Sequence, residues 1–336
     1  MTTVLDVRDV SVRIRVPGGR HVQAVDRVSF SVARGETLAI VGESGCGKTM
    51  LAMSILGLLP TGGEISSGSV ELDGEDLRTA TPARMRDIRG ARIGTIFQEP
   101  MTSLNPVFTI GRQISEVIER HQRIGRRAAL PRVVDLLRLV GIPDAARRVD
   151  QYPHELSGGM AQRVMIAMAI ACGPQLLLAD EPTTALDVTI QAAILRVLDD
   201  LRQRLEMAVV LITHDLGVVA DVADRVLVMY AGRAVEEAPV DELFGTPQHQ
   251  YARGLLGAVR RAGETVPRSR LVEVPGVVPT MLEPAVACSF APRCPRADDR
   301  CRTELPLLEP IRADLPVLGT VGTGHTVACF HPGAAG

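Results

Sequence analysis

The stretch GESGCGKT, Gly42–Thr49, limits what this chain can fold into more than any other. It fits G-x4-G-K-S/T, with Gly42, Gly47, Lys48 and Thr49 at the fixed positions. ETLAIV before it reads as a short buried strand, and TMLAMSILGLL after it reads as a helix. Such a strand–loop–helix wraps backbone N–H groups around phosphates, and the helix N-terminus points its positive dipole end at them. Glu43, Ser44, Gly45 and Cys46 complete the expected phosphate-binding loop. Lys48 reaches the β/γ-phosphates as a compact point charge, and Thr49 offers a hydroxyl to Mg²⁺. Lys48 is also the chain's only lysine among 37 basic residues, the rest being arginine. A planar guanidinium has a different shape and hydrogen-bond fork, so this position calls for an ammonium.

The other half of a nucleotide site lies in PQLLLADEPTTALD, Pro174–Asp187. Leu176–Ala179 reads as a buried strand with Asp180 and Glu181 at its C-terminal tip. Asp180 is expected to hold Mg²⁺, and Glu181 to orient and polarise the attacking water. AVVLITHD reads as a further buried strand ending at His214, where a γ-phosphate sensor is needed.

These segments resemble the ABC-type ATPases. LSGGMAQR (Leu156–Arg163) is similar to their signature motif, IFQEP with Gln98 to the Q-loop, TALD with Asp187 to the D-loop, and THD with His214 to the switch histidine. All six motifs follow the family's order across roughly residues 1–250. The resemblance implies ATP with Mg²⁺ bound by Thr49, Gln98 and Asp180, and catalysis by Glu181, His214 and Gln98. It further implies head-to-tail association of two such domains. Ser157, Gly158 and Gly159, the exposed N-terminus of a helix, would then act on the partner's nucleotide. Met160 stands where the family more often has Gln. A second departure concerns adenine: no aromatic residue precedes Phe30, so stacking falls to His21, an arginine plane or the partner.

The net charge of −2 gives no electrostatic case for nucleic-acid binding. The N-terminus lacks the layout of a secretory signal, and no apolar run nears the ~18–20 residues that span a bilayer. EPMTSLNPVFTIGRQISEVI, after the Q-loop, resembles the helical subdomain of peptide importers, where a groove receives a permease helix. That favours a transporter over the rival reading, a soluble ABC ATPase acting on nucleic acid or ribosomes.

Beyond about residue 240 the pattern changes. PVDELFGTPQHQYARGLLGAV reads as a loop and a short amphipathic helix, followed by irregular Pro- and Arg-rich sequence. Cys288, Cys294, Cys301 and Cys329 lie there, four of the six cysteines. A reducing cytosol disfavours disulfides, leaving an iron–sulfur cluster, zinc or unliganded thiols. VPGVVPTMLEPAVACSFAPRCPRADDRC resembles the tail of oligopeptide, dipeptide and nickel importer ATPases, which implies a 4Fe–4S cluster, with zinc as the alternative. His325 and His331 flank Cys329 and keep zinc open.

The expected fold is α/β: a parallel-sheet P-loop core, an antiparallel N-terminal sheet, a helical subdomain near 100–165 and a small irregular C-terminal domain. Domain limits are set at 1–250 and 251–336. The expected protein is the ATP-hydrolysing subunit of an importer of small peptides, or alternatively of nickel or another metal chelate. Its implied partners are two membrane permease subunits, a second, non-identical ABC ATPase and, indirectly, an extracytoplasmic binding protein, with no nucleic acid. It would sit peripherally on the cytoplasmic face of the plasma (inner) membrane.

Overall fold

Continuous apolar runs, not alternating ones, form the central strands, as expected where both sheet faces are covered. Thr37–Val41, Leu176–Asp180 and Ala208–Thr213 are buried at every position. The computed structural model describes residues 2–184, 186–257, 275–311 and 324–333. These form two compact units, one of Met1–Asp6, Ser31–Thr37 and Glu71–Ile212, the other of Val7–Phe30, Leu38–Val70 and Thr213–Gly336.

In the first unit, the strands Ile93–Ile96, Leu176–Asp180 and Ala208–Thr213 run parallel, with Ile93 beside Leu176 and Leu176 beside Ala208. Helices Ile110–Gln122, Arg126–Leu139, Gly158–Ile170 and Val188–Leu205 accompany them. Three of these start at a side-chain cap: Thr109 accepts from Arg112 N, Ser157 from Met160 N and Asp187 from Ile190 N. Two caps therefore fall on residues that sequence motifs single out.

In the second unit, Thr37–Val41 lies parallel to Arg225–Tyr230, with Val41 beside Val228. Arg225–Tyr230 pairs antiparallel with Arg233–Pro239, which in turn pairs with the short tail strand Thr326–Val327. That strand also carries Glu309–Pro310. An antiparallel hairpin, Thr3–Arg15 with His21–Ala33, closes through Val16 N donating to Arg20 O. One core unites Val41, Val228, Tyr230, Tyr251 and Phe290, so part of the tail is packed as core. Few aromatics are available, and four of the nine Phe and Tyr residues gather here: Tyr230, Tyr251 and Phe290 buried, and Phe244 packed against them.

One stretch corrects the expectation from sequence. The segment after Pro239 is a helix, Val240–Gly245, and not a loop. Pro239 at its N-cap and Asp241 and Glu242 in its first turn favour helix initiation. The amphipathic helix follows as Gln250–Gly257, and the rest of that expectation lies outside the described residues.

Candidate functional site: a phosphate loop, a carboxylate strand end and a cysteine cavity

The phosphate loop leaves the buried Thr37–Val41 strand and enters the Lys48–Leu56 helix. Two of its glycines, Gly42 and Gly47, are required by close packing. A Cβ on Gly42 would lie 2.3 Å from Met229 O, and one on Gly47 2.3 Å from Ala24 O, both at positive φ. Lys48 is buried, and its Nζ donates to Gly42 O at 2.7 Å and Glu43 O at 3.0 Å. The ammonium thus sits inside the loop, against the loop's own carbonyls. Ser44, Gly45 and Thr49 are exposed. Cys46 is buried, which pushes its thiol pKa up against the pull of Lys48.

In the first unit, Asp180 is buried at the end of its strand and Glu181 follows at φ 48, a left-handed conformation rare for a non-glycine residue. Glu181 N donates to Ile212 O at 2.8 Å, fixing that strained peptide. Gln98 Nε2 donates to Glu181 Oε2 at 3.1 Å, bringing together two residues 83 positions apart that sequence reasoning named separately. Thr184 Oγ1 donates to the same oxygen at 2.7 Å. Sequence reasoning missed Thr184. The available signal was its place three residues after Glu181 on a tight turn.

Ser157, Gly158 and Asp187 are exposed, beside Val188, an apolar side chain 81% exposed. The Gly158–Ile170 helix therefore presents its N-terminus outward. His214 is exposed just past the end of Ala208–Thr213, and Asp215 caps the next helix by accepting from Gly217 N and Val218 N. His21 is exposed at the start of its strand, whereas Phe30 is buried and unavailable to a base.

Cys288, Cys294, Cys301 and Cys329 line one cavity together with Phe290 and His249, and all four thiols are free. Backbone N–H groups point at two of the sulfurs, Arg296 N at Cys294 Sγ and His331 N at Cys329 Sγ, each at 3.4 Å. Burial pushes the thiols of Cys288, Cys301 and Cys329 up, the last to about 11. Among the described residues, the one trio of metal-capable donors within 4.8 Å of one another is Asp298, Cys301 and His331. A zinc ion bound by four thiolates would draw the sulfurs to about 3.8 Å, given Zn–S bonds of about 2.3 Å. Among the described residues, no three of the four sulfurs lie within 4.8 Å of one another.

The tail is tied down around this cavity. Glu236, fully buried, accepts from Gln248 N, His249 N and His325 Nε2 at 2.7–2.8 Å. His325 also lies 3.3 Å from Glu242. Thus His325 is committed to carboxylates, and of the two histidines flanking Cys329 only His331 belongs to the metal-capable trio.

Comparison with known proteins agrees with the motif order. The family described as ABC transporter matches residues 25–184, and the one described as oligopeptide/dipeptide transporter, C-terminal region, matches residues 235–301. The dipeptide transport ATP-binding protein DppD of Escherichia coli is 50% identical over 310 residues, 92% of this chain and 91% of its own. This chain belongs to the ABC transporter ATP-binding proteins. The ABC ATPase is also 52% identical over 331 residues to the "Probable peptide ABC transporter ATP-binding protein y4tR" of Sinorhizobium fredii, covering 97% of this chain and 94% of that one. AppD of Bacillus subtilis, an oligopeptide transport ATP-binding protein, is 47% identical over 334 residues, 98% of this chain and 97% of its own. Among solved structures, a dimer of the ATP-binding cassette MJ0796 bound to ADP and Pi superposes with a TM-score of 0.63 at 26% identity, covering 70% of this chain and 98% of that one. An ABC ATPase binds and hydrolyses ATP with Mg²⁺, and this family works with membrane permease subunits. No described helix is long and apolar enough to cross a membrane.

Proposed function

We propose that this ABC ATPase energises the uptake of small peptides through two permease subunits at the cytoplasmic face of the plasma membrane. The observation that carries the reading is identity of about half along nearly the whole chain to ATP-binding proteins named for peptide, dipeptide and oligopeptide transport. The oligopeptide/dipeptide transporter C-terminal match runs to residue 301, through three of the four tail cysteines. Cargo is delivered by an extracytoplasmic binding protein, and the ATPase partner is a related, non-identical chain.

In this reading Lys48 and the loop N–H groups hold the phosphates, and Thr49, Gln98 and Asp180 would hold Mg²⁺, which would supply neutralisation of the negative charge developing on the phosphates. Glu181 polarises the attacking water, oriented by Gln98 and Thr184, and His214 senses the γ-phosphate. Ser157, Gly158, Gly159 and Asp187 act on the partner's nucleotide, which accounts for the exposure of Ser157, Gly158 and Asp187. The permease helix docks in the groove lined by Asn105, Phe108, Gln113, Glu116 and His121, beside exposed Met101 and Val107.

Residues 251–336 form an appended module on the ABC domain of residues 1–250. Its four cysteines hold a 4Fe–4S cluster in a structural role, supported by their shared cavity, their wide spacing and N–H groups aimed at sulfur. Iron, zinc and acid-labile sulfide per chain, measured after oxygen-free purification, test this: four irons and four sulfides are expected, and stoichiometric zinc overturns it. Cargo is tested by ATP-dependent uptake of a labelled dipeptide and of ⁶³Ni²⁺ into vesicles holding the assembled transporter. Dipeptide uptake that disappears with Lys48→Ala supports the reading; nickel uptake without peptide uptake contradicts it.

A further inference from the structure

The cysteine tail reaches the phosphate loop. Arg293, the residue before Cys294, makes a forked pair with Glu43: Nη1 to Oε2 at 2.8 Å and Nη2 to Oε1 at 2.9 Å. The same guanidinium donates through Nε to Pro275 O at 2.7 Å and through Nη1 to Tyr230 Oη at 3.3 Å. Its side chain is 7% exposed and that of Glu43 27%. Arg293 also lies 5.6 Å from the Tyr230 ring centre and 5.9 Å from that of Phe290. Those rings pack against Tyr251 at centroid distances of 4.7 and 5.5 Å.

Glu43 is the second residue of the loop, and its backbone is committed as fully as its side chain. Its N–H donates to Tyr251 Oη at 2.8 Å. Its carbonyl accepts from Lys48 Nζ at 3.0 Å and from Cys46 N at 3.3 Å. One residue thus joins the tail, through Arg293 and Tyr251, to the ammonium that must meet the phosphates. A forked, charge-assisted pair sheltered from water resists screening and fixes orientation as well as distance. Without the guanidinium, a half-buried carboxylate would stand uncompensated beside a site that binds a polyanion.

We infer that Arg293 is a positioning residue for ATP binding: it neutralises and orients Glu43, and so holds the phosphate loop and Lys48 ready for MgATP. The tail is therefore part of the nucleotide site's support, and loosening it lowers affinity for ATP. The inference rests on the phosphate-loop reading of Gly42–Thr49, so its test carries a control for that reading.

The experiment is an equilibrium titration of the full chain, purified without oxygen, with MgATP. Arg293→Ala is expected to weaken binding about tenfold. Arg293→Lys should recover only part of the loss, because an ammonium keeps the charge and loses the fork. Glu43→Gln, which leaves the tail's aromatic packing in place, should weaken binding several-fold even if Arg293→Ala fails to fold. The double variant Arg293→Ala/Glu43→Gln should bind no worse than Arg293→Ala alone, as expected of two ends of one interaction. Lys48→Ala is the control and should lose about a hundredfold. If Glu43→Gln and Arg293→Ala both bind within twofold of the natural chain while Lys48→Ala does not, the inference is overturned and the site stands. Additive losses in the double variant also overturn it. Unchanged binding by Lys48→Ala overturns the phosphate-loop reading, and the inference with it.

Discussion

The phosphate loop and the cysteine tail both arrange polar groups around a hollow, but they are held in opposite ways. Backbone holds the loop: a five-residue buried strand enters it, a helix leaves it, and Gly42 and Gly47 sit where any side chain would strike a carbonyl. The tail has two-residue strands and a five-residue helix, and is held by side chains: Glu236 with His325, Arg293 with Glu43, Phe290 among two tyrosines. A backbone-built site leaves a contiguous motif in the sequence. A site built from side chains does not, because its partners are scattered along the chain.

The largest expected effect breaks the loop. Gly47→Ala places a methyl group 2.3 Å from Ala24 O at φ 108. It should cost about 3 kcal/mol of stability and abolish detectable MgATP binding, as read by urea unfolding and titration. Stability and affinity equal to the natural chain would show that the loop is not held by that contact.

The tail should give way more locally. Glu236→Gln removes a buried charge that accepts three hydrogen bonds. A loss of about 2 kcal/mol is expected. Proteolysis within 275–333 should speed up, and MgATP affinity should fall with it while the rest of the chain stays folded. Cleavage of the tail with MgATP affinity unchanged would mean the tail does not support the loop.

Acid should sharpen the contrast. His249, fully buried, has its pKa pushed down to about 4 by burial. In the folded chain it stays neutral where the unfolded chain takes up a proton, so stability is complete above about 6.5 and falls as pH drops towards about 4. Unfolding titrations from pH 7 to 4 should show this decline, and His249→Gln should flatten it. An equal slope in the variant would remove His249 as the cause.

The smallest effect belongs to the surface. Hydrogen bonds from Arg84, and then Arg92, hold Glu75 at about 2. The stability this contributes is present above its ordinary pKa of about 4.5 and is lost as pH falls towards 2. At such exposure Glu75→Gln should cost less than about 0.5 kcal/mol near neutral pH. A loss several times larger in urea unfolding would place this ion pair among the supports of the fold.

What the sequence disclosed follows the same division. Lys48, the strand ending in Asp180, the capped helix at Ser157 and the order of motifs were all readable, because each is a local pattern of residue type and spacing. The four cysteines were readable as a donor set. Their surroundings were not: Arg293 lies 250 positions from Glu43, and Tyr251 lies 208 positions from the same residue. Nothing local marks either as a partner of the loop. The helix Val240–Gly245 reads as a loop from sequence because it is short, and its signals, a proline and two acidic residues, also suit a turn.

The measurement that tests the account most directly is ATP turnover by Glu181→Gln in the assembled transporter, alongside MgATP binding by the same variant. Glu181 is held at φ 48 with Gln98 and Thr184 on its carboxylate. The account predicts MgATP affinity within about twofold of the natural chain and turnover reduced at least a hundredfold. Turnover at the natural rate with normal binding would contradict it, because the residue at the tip of the buried strand would then not be the one that activates water.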